Sequence, residues 1–165
     1  MPWLRTGFVA GCLACAWYWL EYRLGFHTVH FEAGRYTRYA PLAILLLSLF
    51  AMFRRRWRRP GPAPALAEQL NAGVQASLVA GGITCCFLVI YSQQFNPGWI
   101  DPMLEWNVVR MRAAQVEEPA IRAWIVRWRQ ATSPAGLFTF LVAGSTLIGT
   151  LFSLALALLF RRGSR

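Results

Sequence analysis

From Gly136 to Phe160 the chain runs 25 residues without a charged side chain and then stops at Arg161 and Arg162. As a helix rising about 1.5 Å per residue, such a stretch covers the roughly 30 Å hydrocarbon core of a bilayer. Backbone N–H and C=O groups find no water there, so the segment must satisfy them internally, which selects helix. Ala72 to Phe95 repeats the pattern, with Gln75, Gln93 and Gln94 toward its ends and Asn96-Pro97 as a helix stop. Of the 165 residues 56% are hydrophobic and 15% charged, against roughly 45–50% and 25% in soluble domains. A soluble domain of this length has no interior large enough to hide that surface.

Two further stretches have the same character. The first runs from Trp3 to about Tyr22, apolar without interruption from Gly7 to Leu20. The second, Tyr39 to Phe53, reaches spanning length once extended to residues 37–57. Arg54, Arg55 and Arg56 then snorkel to headgroups and Trp57 sits in the interfacial belt. The expected fold is therefore an all-α integral membrane protein with four transmembrane helices, spans 3–22, 37–57, 72–95 and 136–160. Val9 to Cys12 and Ala14 to Ala16 resemble cleavage sites, but Trp17 to Leu20 continue the apolar run beyond both, which favours a retained first span.

All 17 basic residues are arginine, and the net charge is +10. The arginines border apolar runs instead of lining a folded basic face, which argues against nucleic acid as a partner and for a lipid bilayer. Arg54 to Arg59, with Arg5, Arg161, Arg162 and Arg165, concentrate positive charge on one side. The positive-inside rule then places both termini in the cytoplasm, with the bacterial inner membrane as the expected location.

The inner connector reads Pro60-Gly61-Pro62-Ala63-Pro64, a stiff segment that forms neither helix nor central strand. The first outer loop, Arg23 to Arg38, carries His27, His30 and Glu32, weak candidates for a divalent metal and more naturally exposed loop side chains. The second outer connection goes beyond a loop. Asp101-Pro102 and Glu118-Pro119 read as helix starts, giving an extracytoplasmic amphipathic helical hairpin, 101–130, between spans three and four. In its second helix Ile121, Trp124, Ile125 and Trp128 share one face, while Arg122, Arg127 and Arg129 occupy others. Trp124 and Trp128 are thus expected interface anchors. Ser133-Pro134 opens the last span.

Rows of small residues mark helix contacts in lipid, where close backbone approach replaces the hydrophobic drive. Gly7, Gly11 and Cys15 form one row, Gly73, Ser77, Gly81 and Cys85 a second, and Ser145, Gly149, Ser153 and Ala157 a third. They serve either packing within one chain or a homo-oligomer. The cysteines, Cys12-x-x-Cys15 and Cys85-Cys86, lie inside spans. A membrane thiol oxidase needs a pair in the outer loop between the last two spans, and that loop has none. Haem attachment fails because Ala16 stands where His is required. Spans three and four contain no ionisable residue other than cysteine and tyrosine, and Glu21 stands at the outer edge of the first beside Arg23. A midplane proton relay of the kind carriers use is therefore not expected.

The order of a span pair, a basic linker, a glycine-bearing third span ending in Tyr91 to Asn96-Pro97, an amphipathic hairpin (Asp101 to Gln130), Ser133-Pro134 and a final span closed by Arg161-Arg162 resembles a bacterial family. That family is catalogued as domain of unknown function four-one-nine-nine and comprises small four-span membrane proteins. The resemblance covers nearly the whole chain; it implies the topology and brings no cofactor, catalytic residue or activity. The expected role is that of a non-catalytic packing or partner subunit. The alternatives are a membrane thiol oxidoreductase using the four cysteines, or a small oligomeric transporter.

Overall fold

The computed structural model describes residues 2–27, 30–58 and 65–162, and among them every regular element is helical. Four helices are long: α1 (Pro2–Arg23), α3 (Ala40–Trp57), α4 (Leu66–Ile90) and α8 (Gly144–Arg162). Shorter ones fill the connections: α2 (Phe31–Thr37), α5 (Ile100–Ala113), α6 (Glu118–Thr132) and α7 (Pro134–Phe138). A π turn at Tyr91–Phe95 prolongs α4, and a second at Thr139–Ala143 joins α7 to α8. The resulting rods, Leu66–Phe95 and Pro134–Phe160, are both long and apolar enough to cross a membrane.

α4 is the central helix, packed on α1 along one side and on α8 along another, while α3 closes the ring against α1 and α8. Small residues set the register. Along the parallel α1/α4 contact Gly7 faces the Ala76 carbonyl and Gly11 faces Ala80 and Ile83. Along the antiparallel α4/α8 contact Gly73 faces Ser153, Ser77 faces Gly149 and Gly81 faces Ser145. A Cβ on Gly11 would stand 2.9 Å from Ile83 Cβ, one on Gly73 2.6 Å from Ser153 Cβ, and one on Gly149 2.8 Å from Ser77 Cβ. Real side chains do not approach that closely, so these positions admit hydrogen alone. All three rows are engaged within one chain.

The rest of the interior follows from this approach. Leu45, Leu49 and Phe53 of α3 fill the space beside Ala76, Ala80 and Ala157. At the end where α3 meets α4, Trp57 stacks on Phe160 with ring centroids 5.9 Å apart. Its Nε1 donates to Gln69 Oε1 at 3.3 Å. Arg56 pairs with Glu68, whereas Arg54 and Arg55 are exposed. The Pro60 to Pro64 connector, Arg59 and Arg165 lie outside the described residues, as do the side chains of Arg161 and Arg162.

Several boundaries differ from those expected. α4 begins at Leu66, six residues before Ala72, because Glu68 and Gln69 are good helix formers and Gln69 finds a buried partner in Trp57. The connection between α1 and α3 contains α2, which a mixed-charge reading of Arg23 to Arg38 did not show. α5 starts at Ile100 with Trp99 as N-cap, so Asp101 sits inside the first turn, its carboxylate taken by Arg129 at 3.0 Å. α6 is capped by Glu117, with Pro119 in its first turn. Only Ser133 caps through its side chain, its Oγ accepting from the Gly136 N–H at 3.1 Å.

The notches give a direct comparison. Gly149→Ala is expected to destabilise the bundle by about 1–3 kcal/mol through overpacking against Ser77. Gly82→Ala, where no atom lies within 4 Å of the added carbon, is expected to be neutral or to stabilise by up to about 1 kcal/mol through helix propensity. Thermal unfolding of both variants in detergent micelles checks the pair; equal effects would mean that the rows are not engaged inside the chain.

Candidate functional site

A cluster of polar side chains forms at the end of the bundle that carries α5 and α6, and two turns assemble it. α1 ends in a Schellman motif: Gly25 takes φ of 72°, its N–H bonds to the Tyr22 carbonyl at 3.0 Å, and the Phe26 N–H bonds to the Glu21 carbonyl at 2.9 Å. The chain therefore folds back so that His27 returns to the last turn of the helix it has just left. α4 ends in a π turn closed by the Asn96 N–H on the Tyr91 carbonyl at 2.9 Å. Pro97 and Gly98, the latter with φ of 82°, then form a tight turn closed by the Trp99 N–H on the Asn96 carbonyl at 3.1 Å. This second turn lays Trp99 over the residues of the first.

The outcome is a continuous polar chain. Asn96 Nδ2 donates to the Tyr91 hydroxyl at 2.9 Å. That hydroxyl lies 3.2 Å from His27 Nδ1, and His27 Nε2 lies 3.4 Å from Glu21 Oε2. Tyr91 is 1% exposed and Glu21 2%. Aromatic rings wall the chain, Tyr22 edge-on to Tyr91 at 5.5 Å and Trp99 5.9 Å from His27. Trp17 and Thr37 also face the Glu21 carboxyl. Even so, Glu21 Oε1 and the indole N–H groups of Trp17 and Trp99 are buried without a hydrogen-bond partner. Buried polar atoms are rarely left unpaired, so three in one place single out this cluster.

Glu21 is the functional residue that sequence reasoning missed. An acid next to Arg23 reads as a solvated edge, but α1 turns Glu21 inward toward Thr37 and His27 and leaves Arg23 exposed. Its position four residues after Trp17 on one helical face was the available signal. The proposed metal set does not assemble. His27 is engaged with Glu21 and Tyr91, His30 stands exposed at the start of α2 with no cap bond from its side chain, and Glu32 points to Arg110 at 4.0 Å. No group of three His, Cys, Asp or Glu among the described residues is placed to hold a metal ion. The cysteines are free thiols; Cys15 faces the Ile83 carbonyl at 3.9 Å and lies within electrostatic reach of Cys12 and Cys86.

The hairpin is held at its root and open at its tip. Leu104 and Ile121 are buried, and Trp124 and Trp128 stack at 5.6 Å on the helical face that carries Ile121. Arg122, Arg127 and Arg129 are exposed, as the helical pattern requires. Residues 112–120 are all exposed, and Val109 and Val126 present 60% and 56% of their surface. The turn is a second Schellman motif in which Gln115, with φ of 56°, occupies the position glycine favours. Arg112 Nε donates to Glu118 Oε1 at 2.7 Å across it. That bond holds the Glu118 carboxyl below its ordinary range and the Arg112 guanidinium above its own.

An all-helical bundle carrying a buried carboxylate–imidazole–phenol chain beneath a protruding helical hairpin is the class that fold and site define. Residues 5–162 match the family model described as "Protein of unknown function (DUF4199)", and the chain belongs to that family. No curated protein and no solved structure matches it.

The Glu118–Arg112 bond carries a pH dependence of definite sign. A carboxyl whose folded value is depressed contributes above its unfolded value and loses that contribution as pH falls through the folded one. Opening of the 112–118 turn, followed by hydrogen exchange, is therefore expected to rise only in acid below the ordinary carboxylate range. Glu118→Gln is expected to abolish that rise; an unchanged profile in the variant would assign it elsewhere.

Proposed function

We propose that this protein is a four-span subunit of a bacterial cytoplasmic membrane, both termini inside, whose rigid bundle mounts the hairpin on the outer face for a protein partner. One observation carries the membrane part: exposed apolar side chains occur on all four long helices, not on the two longest rods alone. Phe8 and Leu13 on α1 are 57% and 50% exposed, Leu47 on α3 68%, Leu78 on α4 43%, and Leu147 and Leu151 on α8 63% and 59%. Large apolar side chains exposed along all four long helices favour lipid over water as the solvent around the bundle. The 22 residues of α1 and 18 of α3 rise about 33 and 27 Å, enough to cross or nearly cross a hydrocarbon core.

The partner part rests on what remains free. The small-residue rows are used up inside the chain, and residues 112–120 at the tip of the hairpin form an exposed surface carrying Arg112, Gln115, Glu117 and Glu118. The void lined by Met52, Phe53, Arg56, Gln69 and Ala72 measures about 10 Å³, at the lower limit for one water molecule, and the larger groove of about 490 Å³ along Leu78, Phe138, Val142, Thr146 and Leu147 is open and almost wholly apolar. This favours a mount over a carrier. A thiol oxidoreductase stays as a second reading because the α1/α4 contact brings Cys15 toward Cys86; full function after replacing all four cysteines with serine would remove it.

Sided labelling and crosslinking test the proposal together. Reporter fusions are expected to place residue 58 and the carboxyl end in the cytoplasm and residue 115 outside. A photocrosslinking side chain at Val109 or Val126 is expected to give a discrete protein adduct in cells, and one at Leu47 is expected to give none. A cytoplasmic residue 115, or hairpin positions without an adduct, would overturn the reading.

A further inference from the structure

The buried polar chain has a direction, and that direction makes it sensitive to one added proton. Asn96 Nδ2 already donates to the Tyr91 hydroxyl oxygen at 2.9 Å. The hydroxyl hydrogen is therefore available for His27 Nδ1, 3.2 Å away. Nδ1 then acts as acceptor, the imidazole hydrogen sits on Nε2, and it faces Glu21 Oε2 at 3.4 Å. Every step runs one way, from Asn96 through Tyr91 and a neutral His27 to the Glu21 carboxylate.

A second proton on the imidazole reverses one link. Nδ1 becomes a donor, so the Tyr91 oxygen faces two incoming N–H groups and its own hydrogen must turn away. Around it stand Tyr22 at 5.5 Å, Phe87 at 6.1 Å and Trp99 at 6.2 Å, faces and edges that offer no strong acceptor. The pair with Glu21 is meanwhile strengthened, since an imidazolium now meets a carboxylate. The His27–Tyr91 link then runs from Nδ1–H to an oxygen that Asn96 already engages, and the buried Tyr91 hydrogen is left without an acceptor. Tyr91, Asn96 and Trp99 are the root of the hairpin, and its hold on the bundle weakens by the cost of that unpaired buried hydrogen.

The titratable and charged groups around His27 fit this account. α1 brings Glu21, with Tyr18 and Tyr22 beside it. The π turn brings Tyr91, α2 brings Thr37 toward Glu21 while its Glu32 is turned to Arg110, and the start of α5 brings Trp99. Among the described residues Glu21 is thus the anion that an imidazolium meets. His27 keeps 15% of its side chain exposed against 3% for Glu21, so the imidazole is the more accessible of the pair. Histidine is also the side chain whose ordinary titration falls in the physiological range.

We propose that Glu21, His27, Tyr91 and Asn96 form a proton-binding latch that fixes the hairpin to the bundle when His27 is neutral and releases it when His27 takes up a proton from the outer face. The latch rests on the reading of the hairpin as the presented surface, and it makes that presentation dependent on external pH.

The test uses the full chain in lipid nanodiscs, with hydrogen exchange of residues 96–113 followed from about pH 7.5 to about pH 5.5, the histidine range, and corrected for the intrinsic pH dependence of exchange. The wild type is expected to lose about tenfold in protection across that window, the scale of an ordinary coupling between two sites. His27→Gln keeps an acceptor and a donor but cannot be protonated, and is expected to give a flat profile. Tyr91→Phe removes the hydroxyl whose hydrogen must turn, and is also expected to be flat, which keeps the test decisive should the glutamine variant fail to fold. A flat wild-type profile, or a transition retained in either variant, overturns the latch. Crosslinking at Val109, scored separately at pH 7.5, keeps the two proposals apart: an adduct with a flat exchange profile removes the latch alone, and a transition without an adduct removes the partner reading alone.

Discussion

The approach of α4 to both α1 and α8 at glycine and serine positions is the constraint on which the remaining structure depends. With Gly73 under Ser153 and Gly149 against Ser77, backbones meet at a separation that any Cβ would forbid. Dispersion between atoms held that close does not depend on the solvent outside, and so it works in lipid as in water. The same approach fixes the axial register. α1 stands beside α4 with Gly11 at Ile83, and that offset brings the last turn of α1 level with Tyr91. The polar chain at the hairpin end is a consequence of a register set two turns and more below it.

The π turns belong to the same logic. A π turn frees backbone carbonyls that a regular helix would use, and a neighbouring hydroxyl is the common remedy. In the second rod Ser145 and Thr146 both donate to the Val142 carbonyl, at 3.2 and 2.6 Å. The widened turn also brings the Leu141 carbonyl to Gly81, where a Cβ would stand 2.8 Å away. In the first rod the π turn begins at Tyr91 and ends where Asn96 can reach back to the Tyr91 hydroxyl. Both departures from α geometry thus fall where α4 meets its neighbours at the hairpin end.

The helical content, the four apolar stretches and the amphipathic face of α6 were legible because each is a periodic or compositional signal spread over many residues. The rows of small residues were legible as rows, but not their partners, since spacing along one helix carries no information about which helix faces it. Glu21 was misread for a related reason. Its neighbour Arg23 and its place near the end of an apolar run suggest a solvated edge, and only the Schellman turn at Gly25 brings His27 back to bury it. The π turns left no trace, because one extra residue within a helix changes neither composition nor average periodicity. The weak metal reading of His27, His30 and Glu32 rested on proximity in sequence, whereas the fold turns His27 to Glu21 and Tyr91, Glu32 to Arg110, and leaves the His30 side chain exposed.

An apolar plug would close the hairpin end of the bundle at lower cost than a buried acid. Desolvating Glu21 is unfavourable unless its oxygens are bonded, and Oε1 is not. The opposite end shows what a purely structural solution looks like: Trp57 donates to Gln69 and stacks on Phe160, neutral groups only, while the charged Arg56–Glu68 pair stays nearer the surface. At the hairpin end the charge is inside, and it is the terminus of a chain of donors that passes through the imidazole. Packing alone gives no reason for that asymmetry. A chain whose far end is the hairpin's root and whose near end reaches water through His27 gives one, since the energy spent on burying the acid then maintains a directional link between the surrounding solution and the element the bundle presents.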